Sequence, residues 1–247
     1  CATHNVRTLT FKFDENFPYS IPESGVIDGQ RISLDRQSRN MTFTLTDGLW
    51  VIGEGFKPDL YKTPEFRGPI KRAFFEPFVV VVGTIGSNEE NALNLEFARA
   101  ESQRWWYRAN GMVEIIPDCT LCCNFDEYSG MNLILVGGPE SNSISRMIES
   151  DLPIRITPDG VLLGEKIIRG DDLAVKFIYP NPLNPETLVL CNWGTSLAGT
   201  RLSGGTTCIY SGSNLPDFMI YDNDVRLMGF AGVRAAGFFD NNWELNE

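Results

Sequence analysis

The residues in this sequence best suited to chemistry are a group of closely spaced cysteines. Cys119 and Cys122 form a C-x-x-C motif directly after an apolar strand pattern, and Cys123 follows. This spacing suits a thiol redox pair, or a zinc site if a distant cysteine adds a fourth ligand. The third cysteine and the poor helix former after it are untypical of a redox motif. We therefore predict no metal and no cofactor. The cysteines that we interpret as disulfide candidates or free thiols are Cys119, Cys122, Cys123, Cys191 and Cys208.

A second motif has the position of a hydrolase nucleophile. The stretch Gly194-Thr195-Ser196-Leu197-Ala198 follows an apolar strand, as the nucleophile elbow of an α/β-hydrolase does. Its fifth residue is alanine rather than glycine, and no histidine follows it. The one histidine, His4, lies near the start, whereas a serine nucleophile needs a base beside it. We predict no catalytic residue in this chain, and keep a Ser196 hydrolase or a Cys119/Cys122 oxidoreductase as an alternative.

Small and polar residues follow several apolar strands, where open α/β sheets bind ligands. The turn from Gly83 to Asn88 leads into a predicted helix, but it matches neither a dinucleotide fingerprint nor a P-loop. Glu89 and Glu90 at that helix start disfavour a phosphate. A further alternative is therefore a small-molecule or glycan site. Its residues would be Thr84, Ser87, Asn88, Gly138, Ser141, Asn142 and Thr195.

Net charge, cysteine content and a glycosylation sequon indicate which partners and which compartment suit this protein. The net charge is −11 and no basic patch is visible, which argues against nucleic acid as a partner. No apolar run approaches the roughly 18 residues of a membrane span. The six cysteines and the sequon at Asn40, a candidate glycosylation site, favour a secreted or cell-surface protein. Cys1 suggests a lipid-modified cysteine or, as we favour, an internal start of a longer chain.

The hydropathy pattern changes along the chain. Up to residue 72 it alternates at 6–13 and 41–45, and a hairpin-type turn at Asp47-Gly48 leads into 49–52, which predicts a small antiparallel β segment. From Pro77 the runs at 78–82 and 133–136 are apolar throughout, as in buried parallel strands. Between them, Ser87 and Glu90 form a capping box before a helix over 88–109. We predict a flavodoxin-like (Rossmann-like) α/β domain at 73–247, a three-layer sandwich with a mostly parallel sheet, after a β-rich segment at 1–72.

The sequence also predicts further strands, a short helix and two connecting segments between residues 73 and 247. The other strands are expected at 112–116, 154–156, 161–163, 175–179, 188–191 and 218–221. A short helix is expected over 144–150. The three prolines of Tyr179–Pro185 predict a rigid loop. Asp222-Asn223-Asp224 is read as a turn, because a calcium loop would need glycine and glutamate in another register.

Several stretches together resemble one family across nearly the whole chain. The most specific are Tyr179-Pro180-Asn181-Pro182 and Gly237-Phe238-Phe239-Asp240. Others include Gly68-Pro69-Ile70, Gly83-Thr84, Asn132-Leu133-Ile134-Leu135, Ser141-Asn142 and Leu215-Pro216-Asp217. This pattern resembles the C-terminal region of large secreted prolyl-oligopeptidase-like or esterase-like α/β-hydrolases. The chain departs from it at the cysteine-rich loop 119–123 and at Gly194-Thr195.

The resemblance implies a function without catalysis. In such proteins the serine hydrolase domain lies upstream of this region, so its nucleophile and base would lie outside this chain. The expected function is an accessory or packing domain whose partner is that upstream domain or another subunit. A last alternative is a structural surface subunit that presents Trp105, Trp106 and Trp243.

Overall fold

The structure, a computed structural model, describes residues 1–14, 17–53, 60–64, 66–208, 212 and 215–245. The contacts within the chain define two compact units, Cys1–Asp59 and Leu60–Glu247. Each unit is described by itself.

The first unit is built from short antiparallel strands. Its strands are β1 (Thr8–Lys12), β2 (Ser24–Ile27), β3 (Gln30–Ser33), β4 (Asn40–Thr46) and β5 (Leu49–Ile52). Strands β1, β4 and β5 form one sheet in that order, and β2 and β3 form a separate hairpin. Asp47 and Gly48 both have positive φ between β4 and β5, which is the geometry of a two-residue hairpin turn. Ile27, Phe43 and Trp50 form the centre of the small core.

The second unit contains the remaining elements. Its strands are β6 (Phe78–Val82), β7 (Ile115–Pro117), β8 (Asn132–Val136), β9 (Ile154–Thr157), β10 (Gly160–Leu163), β11 (Lys166–Arg169), β12 (Ala174–Asn181), β13 (Asn184–Gly194), β14 (Phe218–Tyr221) and β15 (Val233–Gly237). Its α-helices are α1 (Asn88–Ala109), α2 (Asp118–Cys123), α3 (Phe125–Tyr128), α4 (Ser143–Ile148), α5 (Leu197–Gly205) and α6 (Val225–Met228). Short 3-10 helices span Ile70–Phe74, Glu149–Asp151 and Gly229–Gly232.

Seven strands form a mixed sheet in the order β15-β14-β12-β13-β8-β6-β7. Strands β13, β8, β6 and β7 are parallel, whereas β12, β14 and β15 pair antiparallel. Strands β9, β10 and β11 form a separate antiparallel sheet. The expected flavodoxin-like three-layer sandwich with a mostly parallel sheet is therefore wrong: the fold is mostly β, with few helices. The prediction failed for a physical reason. An apolar run indicates that both faces of a strand are buried, but it does not indicate the direction of the neighbouring strand.

Two local expectations also change. Tyr179–Pro185 is not a loop but most of a hairpin, because β12 runs to Asn181 and β13 begins at Asn184. Pro180 is tolerated in the strand because the pairing shifts at a bulge between Pro180 and Asn181. Trp243 is fully buried and packs against Phe66, Tyr179 and Phe239, so it presents no surface.

The long helix was predicted correctly. The Ser87 hydroxyl accepts from the amide of Glu90, and the Glu90 carboxylate accepts from the amide of Ser87. The helix spans Asn88–Ala109 and ends where Asn110 adopts the left-handed conformation. It packs on β6 and on α5 through a face that includes Leu93 and Phe97.

Candidate functional site

The carboxyl ends of the four parallel strands define the edge where an α/β sheet usually binds ligands. The chain passes from β6 to β7 on one side, and then to β8 on the other side of β6. The topological switch point therefore lies between β6 and β8. The loops that meet there are Gly83–Ser87 after β6 and Gly137–Asn142 after β8.

Asn142 closes this crevice. Its side-chain Nδ2 donates to the carbonyl oxygens of Val81 at 3.2 Å and Val136 at 3.1 Å, so it bonds to both strands. Its Oδ1 accepts from the amides of Ile144 and Ser145 and thereby caps α4. The side chain is fully buried. A predicted ligand residue is thus committed to holding the two loops together.

The loop backbones also meet directly. The amide of Ile85 donates to the carbonyl oxygen of Ser141 at 3.1 Å. A Cβ atom on Gly83 would lie 2.3 Å from that same oxygen, so only glycine fits here. The switch-point crevice is filled by the protein's own main chain.

The predicted residue Thr84 is bonded to a buried carboxylate. Its hydroxyl donates to Asp118 Oδ1 at 2.5 Å, and the amide of Ser143 donates to Asp118 Oδ2 at 2.6 Å. Burial alone would raise the pKa of Asp118, but the hydrogen bonds from Ser143 and Thr84 outweigh it and hold the pKa below its usual value. Sequence reasoning missed Asp118; its position directly after β7 was the available signal.

The other predicted ligand residues serve the helices or the chain around them. Ser87 caps α1, and Asn88 is exposed on its first turn. The Thr195 hydroxyl donates to the carbonyl oxygen of Asp171 at 2.8 Å and accepts from the amide of Leu173 at 2.9 Å. The seven predicted residues therefore share an edge of the sheet without forming one site.

A cleft lies at this edge, between the loops after β8 and β13. It measures about 140 Å³, and Gly138, Ser141 and Thr195 line it. Three carboxylates also line it, those of Glu90, Glu140 and Glu149. Burial raises the pKa of Glu149, and Glu140 adds to that effect. The cleft is too small and too acidic for a nucleotide or other phosphorylated ligand.

Ser196 has a capping role. Its Oγ donates to Asp172 Oδ1 at 2.6 Å and accepts from the amide of Gly199 at 3.1 Å, at the start of α5. His4 belongs to the first unit, where its side chain is exposed. The serine-and-carboxylate pair has no imidazole on its own unit to take the serine proton.

All six cysteines are free thiols, so the expected disulfides are not formed in this structure. Cys191 lies inside the central sheet and Cys208 is buried elsewhere in the core, and burial raises the pKa of both thiols, that of Cys208 to about 11. Cys119, Cys122 and Cys123 are exposed on α2. Cys191 and Cys208 therefore lie in the core, whereas the three cysteines of α2 lie at the surface.

Lys176 is a buried amine that sequence reasoning did not identify. Its Nζ donates to the carbonyl oxygen of Thr206, and burial lowers its pKa. Glu101 is also buried, with one carboxylate oxygen bonded to Arg104 and the other without a hydrogen-bond partner among the residues that the structure describes. The charge of Glu101 favours the protonated form of Lys176 and that of Arg104 opposes it, and both effects are smaller than that of burial.

The remaining predictions concern the glycosylation sequon, the aspartates at 222 and 224, metal binding and membrane spans. Asn40, the candidate glycosylation site, is exposed at the start of β4. Asp222 and Asp224 both pair with Arg234. Within the described ranges, no group of three or more His, Cys, Asp or Glu side chains is placed to hold a metal ion. No helix in that part of the chain is long and apolar enough to cross a membrane.

Part of the chain is similar to a known protein. An uncharacterized secreted protein of Arthroderma benhamiae is 33% identical over 69 residues, which are 28% of this chain and 7% of that protein. The matched segment spans only a small part of the length of that curated relative. No family model matches the chain.

Proposed function

We propose that this chain is a non-catalytic packing domain of a longer secreted protein of the prolyl-oligopeptidase-like or esterase-like α/β-hydrolase type. The observation that carries the proposal is the closed switch point between β6 and β8. Asn142 bonds to both strands, and Gly83 lies so near Ser141 that an added Cβ would be 2.3 Å from its carbonyl oxygen. A sheet whose ligand crevice is filled by its own loops is suited to support a neighbour rather than to bind a substrate.

Two further observations support the proposal. Ser196, the candidate nucleophile, is used as a helix cap and bonds to Asp172. A relative described as secreted carries a similar segment within a far longer chain. The partner on this account is a hydrolase domain of the same polypeptide, as the resemblance of the Tyr179–Pro182 and Gly237–Asp240 stretches implies.

A serine-reactive fluorophosphonate probe tests the absence of catalysis. The isolated chain is expected to stay unlabelled, because Ser196 has no imidazole on its own unit to take its proton. The variant Ser196→Ala serves as the matched control, and wild type and variant should give the same background. Labelling of the wild type that disappears in Ser196→Ala would replace this proposal with a hydrolase.

A second candidate is a small polar ligand in the acidic cleft beside Glu149. The three carboxylates around it favour an amine or a polyhydroxylated compound such as a glycan end over an anion. Titration with small amines and monosaccharides, followed by NMR, would detect it. Binding that weakens in Glu149→Gln but not in the exposed control Glu96→Gln would support this candidate.

A further inference from the structure

Three exposed thiols occupy one face of a single short helix. Helix α2 spans Asp118–Cys123, and its inward side chains, Asp118 and Leu121, are fully buried. Cys119, Cys122 and Cys123 are exposed. Positions separated by three and four residues lie on the same side of a helix, so the three thiols are neighbours. The buried face holds the helix in place, since Asp118 bonds to Thr84 and Ser143.

Helix geometry decides which of these thiols can pair. Cα atoms three residues apart lie about 5.0 Å from one another, and those four apart about 6.2 Å. Both separations fall within the roughly 4.4–6.8 Å that a disulfide spans, whereas adjacent residues, about 3.8 Å apart, do not. Cys119 can therefore pair with Cys122 or with Cys123, but these two cannot pair with each other without distorting the helix. Cys119 is the partner common to both bridges.

We propose that Cys119 and Cys122 form a redox-active dithiol that exchanges with small disulfides such as oxidised glutathione, with Cys123 as the alternative partner of Cys119. The structure shows its reduced form. This inference goes beyond the packing role and does not depend on it. It also uses residues at which the chain departs from the hydrolase pattern.

The exchange balances as two displacements. The Cys119 thiolate attacks one sulfur of oxidised glutathione, which forms a mixed disulfide and releases one glutathione thiolate. The Cys122 thiolate then attacks the Cys119 sulfur, closes the internal bridge and releases the second glutathione. Each leaving thiolate takes up a proton given by a protein thiol. The protein dithiol is oxidised by two electrons and the glutathione disulfide is reduced by two.

Closure requires a local adjustment that this helix permits. Cβ atoms three or four residues apart in a helix start about 5–6 Å from one another and must approach to about 3.8 Å. Helix α2 has six residues, and Cys122 Sγ lies 3.8 Å from Ser143 Oγ. Only a single turn has to tighten, while Asp118 and Leu121 keep the helix in place.

The test uses the whole chain in a Cys1→Ser background, which removes the other exposed thiol. The protein is equilibrated in buffers of graded reduced-to-oxidised glutathione ratio, trapped with N-ethylmaleimide, and analysed by intact mass and peptide mapping. We expect loss of two alkylated thiols and a bridge mapped to Cys119–Cys122. The buried Cys191 and Cys208 are internal controls that stay unreacted while the chain is folded.

Single variants identify the pairing. Cys119→Ser should abolish the internal bridge and leave only glutathione adducts, whereas Cys123→Ser should leave the bridge intact. Cys122→Ser should move the bridge to Cys119–Cys123. Circular dichroism establishes that each variant is folded, as expected for exposed positions. The proposal is overturned if all three thiols stay alkylated at every ratio, if only mixed disulfides or linked dimers form, or if Cys119→Ser bridges as fully as its parent.

Discussion

Asn142 Nδ2 lies 3.2 Å from the carbonyl oxygen of Val81, so the loop after β8 is bonded to the end of β6. This bond crosses the switch point of the sheet, where ligands enter related architectures. The same side chain also caps α4. Closing the crevice and starting the helix are therefore functions of one residue, and the stability of this edge depends on it.

Removing that side chain should destabilise the second unit. In Asn142→Ala, the amides of Ile144 and Ser145 lose their acceptor in a buried setting. We expect the free energy of unfolding to fall by about 2–3 kcal/mol, measured by urea denaturation. The exposed Asn88→Ala is the matched control and should change it by less than about 0.5 kcal/mol. Equal effects of the two variants would show that the crevice is not held by Asn142.

Adding one methyl group at the closed crevice should also be costly. Gly83→Ala would place Cβ 2.3 Å from the Ser141 carbonyl oxygen, and backbone must move to admit it. We expect a loss of about 1–3 kcal/mol in unfolding free energy. At Gly205, in the last turn of α5, the added Cβ meets no atom within 4 Å, so Gly205→Ala should be neutral or stabilising by up to about 1 kcal/mol. Tolerance of Gly83→Ala would mean that the crevice is open in solution.

Acid should weaken the same edge through Asp118. Its folded-state pKa lies below the value in the unfolded chain, so its contribution is complete above about pH 4 and is lost as pH falls through the folded-state pKa. Asp118→Asn should cost about 2 kcal/mol at pH 7, because the amide cannot accept both bonds, and progressively less at lower pH. Unfolding free energy measured from pH 7 to pH 2.5 checks this. The exposed Asp126→Asn is the matched control and should change the unfolding free energy at pH 7 by less than about 0.5 kcal/mol.

The buried ion pair of Lys62 and Asp217 should contribute more to stability than the exposed ion pairs described in the second unit. Their atoms lie 2.6 Å apart, with side chains 14% and 1% exposed, and Lys62 also donates to the Phe239 carbonyl. Lys62→Met leaves a buried carboxylate unpaired and should cost about 3 kcal/mol. The exposed pair Arg201–Glu96, at 4.0 Å, is the control, and Arg201→Met should cost less than about 1 kcal/mol. Similar losses in thermal denaturation would contradict the assigned burial.

The sequence predicted individual elements better than their assembly. The capping box of Ser87 and Glu90 determines the start of α1, and the run at 78–82 predicts β6 to the residue. Strand direction was not predictable, because β12 is buried along nearly all of its length, as a central parallel strand would be, and yet pairs antiparallel on both sides. The short edge strand Val233–Gly237 had no alternation strong enough to find it.

The sequence likewise predicted the position of the candidate site residues better than their contacts. Sequence reasoning placed Thr84, Ser141 and Asn142 at the correct edge, since polar residues after apolar strands gather there. It did not show that their bonding groups are used internally. The side-chain amide of Asn142 bonds to the carboxyl ends of β6 and β8 and also caps α4. Only the contacts across the loops show this.

The central claim concerns a polypeptide longer than this chain, and one measurement addresses it directly. The native source protein should be treated with a fluorophosphonate probe, its intact mass determined, and the labelled peptide sequenced. The account predicts a mass well above that of this chain and a labelled serine outside the 247 residues, within a G-x-S-x-G motif. A label on Ser196, or a native polypeptide no longer than this chain, would contradict it.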